Sequence, residues 1–303
     1  MQTLIIHMHG IGDMIMFTPA FNQIIKNQNN IDLLIFENQS IQPIKNNNKI
    51  RQIYYCNKSY FLFFKNIIFL KKYDRVFFSY NSSPIKSLFA AFLVKAKTIK
   101  ILSTFKIPNL IKKIKFVYVN QKTHKIYKNL SLISKIKKKK INFNLNFKTD
   151  LENFTFNKKY FYIGIHPGSN ANNGDKRWSY KKYFKIIDEC IKKKMKIYIF
   201  IGPYEKNLKK IFNKINSHYV TLVYNKKFNV VGSIIKKLNL FISNETGLAH
   251  LSSALNIKTI VIITKTEDYN KTKISVPIKK AFILKKTSND NDVITVLSQI
   301  KRY

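Results

Sequence analysis

Short apolar runs alternate with helical patterns from one end of this chain to the other, and the series begins again after residue 150. In the first series, 4–8 reads as a strand, followed by a glycine-containing turn and a helix over 14–27. Further strands are expected at 31–36, 50–55, 75–80, 99–102 and 116–119, with helical patterns at 61–72, 84–95 and 123–136. The second series places strands at 160–166, 196–201, 220–224, 238–243 and 259–264. Its helices fall at 180–194, 205–215, 228–237, 246–255 and 290–300. Over 180–194, Tyr183, Ile186, Ile187, Cys190 and Ile191 share one helical face. Strands that are apolar throughout, alternating with helices, imply parallel sheets covered on both faces. The chain is therefore expected to be α/β, with two Rossmann-like doubly wound parallel-sheet domains, 1–152 and 153–303. Ligands belong at the carboxyl ends of the strands, in an interdomain cleft.

Charge is the first candidate clue to function. With 55 Lys+Arg against 15 Asp+Glu, the formal net charge is +40, which invites a nucleic-acid or anionic-membrane reading. The over-represented residues (Lys, Asn, Ile, Phe, Tyr) all have AT-rich codons, so compositional drift accounts for most of the excess. Lysines are scattered, and only 134–140 forms a dense run. The sequence has no zinc-finger spacing, RNP-type aromatic motif or helix-turn-helix glycine pattern, so no specific nucleic-acid partner is expected. An anionic membrane surface remains a plausible partner, at about 1 kcal/mol per well-placed lysine. Cys56 and Cys190 make neither a disulfide framework nor a zinc site, and no metal is expected. No uncharged apolar run is long enough to cross a bilayer, and 3–21 lacks the marks of a signal peptide. The expected location is cytoplasmic.

Against this drift, the eight glycines are informative. Gly10 and Gly12 follow the first strand, Gly168 follows the first strand of the second half, and Gly202 ends the next strand. All four are expected to form loops at strand ends. Asp13 follows the first pair. It is either a helix-capping carboxylate or a general base for a hydroxyl nucleophile. Lys176 comes after a His-Pro-Gly-Ser turn and is a candidate phosphate clamp; Trp178 beside it reads as a packing anchor. Glu205 is either a helix N-cap or a ribose ligand. Residues 243–250 feed a strand into a helix, where the N–H groups of Thr246, Gly247 and Leu248 can bind a diphosphate. His250, one turn in, either contacts phosphate or orders the loop.

Four blocks together resemble glycosyltransferase family 9, the heptosyltransferase family. They are Gly-Ile-Gly-Asp…Thr-Pro-Ala-Phe (10–21), Ile-Gly-Ile-His-Pro-Gly-Ser (163–169) with Lys-Arg-Trp (176–178), Phe-Ile-Gly-Pro-Tyr-Glu (200–205), and Asn-Glu-Thr-Gly-Leu-Ala-His-Leu-Ser-Ser-Ala (244–254). The resemblance implies a GT-B fold with the acceptor in the first domain and the nucleotide-sugar mainly in the second. It implies an inverting transfer of heptose from ADP-heptose to a lipopolysaccharide or lipooligosaccharide core acceptor, without a cofactor. Asp13 would be the base, Lys176 would neutralise diphosphate and Glu205 would bind the nucleoside. Ser169, Glu245, Thr246, Gly247, Leu248 and His250 would complete the donor site. A lipid-linked acceptor further implies a peripheral place on the inner face of the inner membrane. Glu245 stands where the family usually has Asp, and 264–269 replaces its glycine-containing turn. A different nucleotide-sugar donor, or a catalytically idle nucleotide-sugar or membrane binder, is the alternative.

Overall fold

The computed structural model describes residues 1–80, 84–107, 111–133, 141–169, 177–264 and 273–301. The chain divides into two compact units, Met1–Phe147 and Lys148–Tyr303.

The first unit runs β1 (Thr3–His7), α1 (Ile11–Ile24), β2 (Ile31–Ile35), β3 (Ile50–Tyr55), α2 (Tyr60–Phe69), β4 (Tyr73–Phe78), α3 (Pro84–Leu93), β5 (Ala96–Ser103), β6 (Ile114–Tyr118) and α4 (Lys125–Leu130). Its six strands are all parallel, in the order β3-β2-β1-β4-β5-β6. Every residue of β1 is buried, as expected for a central parallel strand covered on both faces. The two faces form separate cores. Phe63 and Ile67 of α2 and Ala90 and Ala91 of α3 pack on Leu4, Ile6, Val76 and Phe78. Met14, Phe17, Ala20 and Phe21 of α1 pack with Leu132 on Ile5, Leu33 and Phe77. Alternate residues of β1 and β4 thus point to opposite faces.

Pro19 lies inside α1 and cannot donate a bond to the Ile15 carbonyl. The Thr18 hydroxyl donates to that carbonyl instead, at 2.8 Å. The Thr-Pro pair thus keeps the helix intact beneath its own buried face.

The second unit runs β7 (Tyr162–His166), α5 (Tyr180–Lys192), β8 (Lys196–Ile201), α6 (Lys206–Phe212), β9 (Val220–Tyr224), α7 (Phe228–Ile235), β10 (Leu240–Asn244), α8 (Gly247–Ala254), β11 (Lys258–Ile263), β12 (Ala281–Lys285) and α9 (Asn291–Lys301). Its strand order is β12-β11-β10-β7-β8-β9, again all parallel. On α5, Tyr183, Ile186, Ile187 and Cys190 are buried. Full burial of a side chain of the Ile class contributes about 1.5–3 kcal/mol. Strand β12 has no counterpart in the sequence reading. It is a half-exposed edge strand, and its short run between lysines gives no clear period.

Within each unit the strand order reverses direction beside the first strand, between β1 and β4 and between β7 and β10. In doubly wound sheets, ligands collect outside the carboxyl ends of strands at such reversals. The residues that follow β1, β7 and β10 are therefore the ones to inspect. Among the described residues no helix is long and apolar enough to cross a membrane.

Candidate active site

After β1 the chain passes through His9 and Gly10 and enters α1 at Ile11. Gly10 is the N-cap, with extended backbone. Gly12 was expected in the loop, but it is the second residue of α1, because the helix starts three residues earlier than its apolar period suggests. Asp13 lies in the first turn, where the helix dipole favours a carboxylate. Its Oδ1 accepts from Lys125 Nζ of α4 at 3.0 Å, and both side chains are about seven-tenths buried, at 30% and 27% exposure. Burial pushes the Asp13 carboxyl up, but Lys125 and His9 outweigh it and hold the group below the usual range. Beneath the loop, burial lowers His7 to about 4, so this imidazole is neutral at pH 7. Its Nδ1 lies 2.9 Å from Ser79 Oγ at the end of β4. Among the described residues, the cation bonded to the Asp13 carboxylate comes from α4.

The sign of this coupling gives a test. The stabilisation from the Asp13–Lys125 pair is complete above the unfolded carboxylate pKa and is lost as pH falls through the depressed folded value. Lys125→Met removes the cation and leaves the burial. The acid limb of kcat/KM is expected to move to higher pH in this variant, with little change on the alkaline side of that limb. An unmoved acid limb would separate the titrating group from Asp13.

In the second unit, three adjacent strand ends converge on His166, the last residue of β7. Its Nδ1 is 3.0 Å from Thr246 Oγ1, and its Nε2 is 3.6 Å from Glu205 Oε2. Thr246 Oγ1 is also 3.1 Å from Ser243 Oγ. Thr246 is the N-cap of α8, yet its side chain makes no cap bond to the helix. Occupied with His166 and Ser243, the hydroxyl gives the first N–H groups of α8 no cap from Thr246. Such an end carries partial positive charge and binds anions. Gly247 and Leu248 open this helix, half-exposed, and His250 is buried one turn in.

Glu205 is buried and is the N-cap of α6. Its Oε2 accepts from the Gly202 backbone N–H at 2.7 Å. Burial pushes its carboxyl up, but His166, Gly202 N–H and Arg177 together hold it low. A Cβ on Gly168 would meet Glu205 Oε1 at 1.7 Å, so only glycine lets this carboxylate lie against the loop. Among the described residues no glycine has left-handed backbone; close approach, and not turn conformation, explains Gly168. A cavity of about 430 Å³ opens beside this group, lined by Arg177 and 203–208.

The loop after β7 is fixed by Asn244, the fully buried last residue of β10. Its Nδ2 donates to the carbonyls of Pro167 and Gly168 at 2.8 and 3.0 Å. Its Oδ1 accepts from the Trp178 backbone N–H at 3.0 Å and from the Tyr183 hydroxyl at 3.1 Å. One amide thereby ties the end of β10 to both ends of the loop that runs from β7 to α5. Ser169 is buried, and its hydroxyl accepts from Arg177 Nε at 3.2 Å. Trp178 is buried and donates from Nε1 to Asp292 at 2.8 Å, as a packing anchor does. Lys176, the dense lysine run at 134–140 and most of the 264–269 segment lie outside the described residues. Glu245 accepts from Ser275 Oγ at 3.3 Å.

The structure thus draws Glu205 and Thr246 together around His166, while Asn244 holds the loop that carries Gly168 and Ser169 bonds Arg177; His166 and Asn244 were given no role from sequence. Asp13 and its partner Lys125 form a second group, in the other unit. Among the described residues no group of three His, Cys, Asp or Glu side chains is placed to hold a metal ion.

The sequence model described as glycosyltransferase family 9 (heptosyltransferase) matches residues 68–291. That span takes in the blocks around His166, Glu205 and Thr246 but not the block around Asp13. Among solved structures, the chain is similar to E. coli heptosyltransferase WaaC with ADP, with a TM-score of 0.76 and 16% identity over 100% of this chain and 99% of that one. It is also similar to a family 9 glycosyltransferase from Veillonella parvula, with a TM-score of 0.74 and 14% identity over 98% of this chain and 91% of that one. For E. coli ADP-heptose lps heptosyltransferase II, the TM-score is 0.72 with 14% identity, over 100% and 98% of the two chains. At these identities the likeness shows the GT-B fold. No curated protein matches the chain in sequence.

Proposed function

The chain belongs to glycosyltransferase family 9, and we propose that this glycosyltransferase moves a heptose from ADP-heptose to a lipid-linked saccharide core acceptor, with inversion. The observation that carries the donor half is the start of α8, where the Thr246 side chain is held by His166 and Ser243 and does not cap the helix. The N–H groups of Thr246, Gly247 and Leu248 are then open to a diphosphate. Lys176 adds a compact positive charge as that group leaves. The nucleoside occupies the cavity beside Arg177 and Tyr204, with Glu205 at its inner wall taking the ribose hydroxyls. Glu245 faces the sugar, and His250 supports the helix turn.

In the reaction, an acceptor hydroxyl attacks the anomeric carbon, and its proton passes to Asp13. The bond from that carbon to the diphosphate breaks, and its electron pair leaves with ADP. A carboxylate held low in pKa is ionised at neutral pH and ready to accept. The enzyme would work in the cytoplasm, at the inner face of the membrane that carries its acceptor.

Nucleotide selectivity tests the donor assignment. A thermal-shift comparison of ADP, UDP, GDP and CMP is expected to show stabilisation by ADP alone. At a concentration 100-fold above Kd this amounts to about 2.7 kcal/mol, a shift of several degrees. A preferential UDP or GDP shift would replace ADP-heptose with another donor.

A further inference from the structure

Helices α2 and α3 cover the same face of the first sheet, and both turn a second apolar stripe outward. Phe61, Ile68 and Phe69 on α2 are 74%, 49% and 78% exposed; Ile85, Phe89 and Phe92 on α3 are 76%, 56% and 50% exposed. Spacings of seven and eight residues on α2, and of four and seven on α3, put each set on one helical face. The inward stripes, Phe63 and Ile67 on α2 and Ala90 and Ala91 on α3, already supply the core. The two helices are locked to each other by an edge-on Phe64–Phe89 contact and by Lys86, which donates to the Tyr60 hydroxyl at 2.5 Å. The outward phenylalanines are therefore held as a single surface.

Compositional drift does not explain this patch. The same Phe- and Ile-rich bias acts on both halves of the chain. Yet among the described residues every phenylalanine at least half exposed lies in the first unit, and four of the five (Phe61, Phe69, Phe89, Phe92) lie on these two helices. Contiguous exposed apolar surface of this kind marks an interaction site.

The charge around the patch identifies the partner. Residues 60–72 and 84–95 contain no Asp or Glu. Lys65, Lys71, Lys72, Lys86 and Lys95 are exposed on and beside the two helices. Large apolar side chains ringed by lysines match a bilayer surface with anionic headgroups, where the rings enter the acyl boundary and the ammonium groups stay with phosphate. The charged side chains of the two helices are lysines without a carboxylate among them, a pattern that suits anionic headgroups.

We propose that the outer face of α2 and α3 is a membrane-docking surface for anionic lipid. It deepens the reading of a membrane-borne acceptor, on which its purpose rests. Its test contains neither donor nor acceptor, so the two fail separately.

The full chain is sedimented with vesicles of phosphatidylcholine alone, and with vesicles containing about one third phosphatidylglycerol. The protein is expected to bind the anionic vesicles, and to be released from them at about 0.5 M salt. The triple variant Phe61→Ser, Phe69→Ser, Phe92→Ser is expected to lower that partitioning at least about ten-fold. Because these side chains are exposed, the variant should keep its thermal stability. Binding of the triple variant equal to that of the parent overturns the proposal. So does a concentration-dependent dimer that the triple variant loses while neither protein binds vesicles, since the face would then join two copies of the chain.

Discussion

Asp13→Asn is expected to lower kcat by about 10³-fold, within the range for loss of a positioned general base, while leaving ADP affinity within about two-fold. The variant keeps the size of the side chain and an oxygen that can accept from Lys125, now bonded to it at 3.0 Å. It removes the negative charge and most of the basicity. Loss of a first-turn carboxylate also costs α1 about 0.3–1 kcal/mol of dipole stabilisation, so the folded protein should persist. A helix-capping Asp would behave differently: its replacement would lower the melting temperature slightly and leave turnover intact. Steady-state kinetics with a parallel ADP titration separates these cases. Undiminished turnover in Asp13→Asn would remove the residue from the chemistry.

Asn244→Ala is expected to cost about 3–5 kcal/mol of stability. Each net hydrogen bond contributes about 1 kcal/mol, and buried partners left unpaired cost more. Four such partners would be stranded: the carbonyls of Pro167 and Gly168, the Trp178 N–H and the Tyr183 hydroxyl. The melting temperature should fall by about 10 °C, and ADP affinity should fall with it, because Gly168 carries Glu205 against the loop. Asn244→Asp keeps the volume but turns an oxygen toward two carbonyls, so it should be comparably damaging. If Asn244→Asp matches the parent protein in thermal denaturation, the amide is not the tie that the distances imply.

The architecture was legible because parallel α/β structure writes itself twice, as apolar runs for strands and as 3.6-residue periods for helices. β3, β8 and β9 occupy the same residues in sequence and structure. β12 was invisible because an edge strand half open to solvent leaves no buried run to read. In the site, glycines and carboxylates stood out at strand ends against a composition that disfavours both. The residues that organise them did not. His166 reaches Thr246 across 80 positions and Asn244 reaches Pro167 across 77, and both links exist only because β7 pairs with β10. Lys125 is one of 55 cations, and nothing local marks it as the partner of a residue 112 positions away. The outward phenylalanines of α2 and α3 carry no sequence signal of their own, because periodicity reports a face and not which side of the helix meets water.

Transfer itself is the most direct test of the central claim. Purified protein is incubated with ADP-heptose and a heptose-deficient core acceptor, and the acceptor is weighed by mass spectrometry. The account predicts the gain of one heptosyl unit with stoichiometric release of ADP, and loss of both in Asp13→Asn. No gain from ADP-heptose, together with sugar transfer from a UDP- or GDP-linked donor, would contradict it.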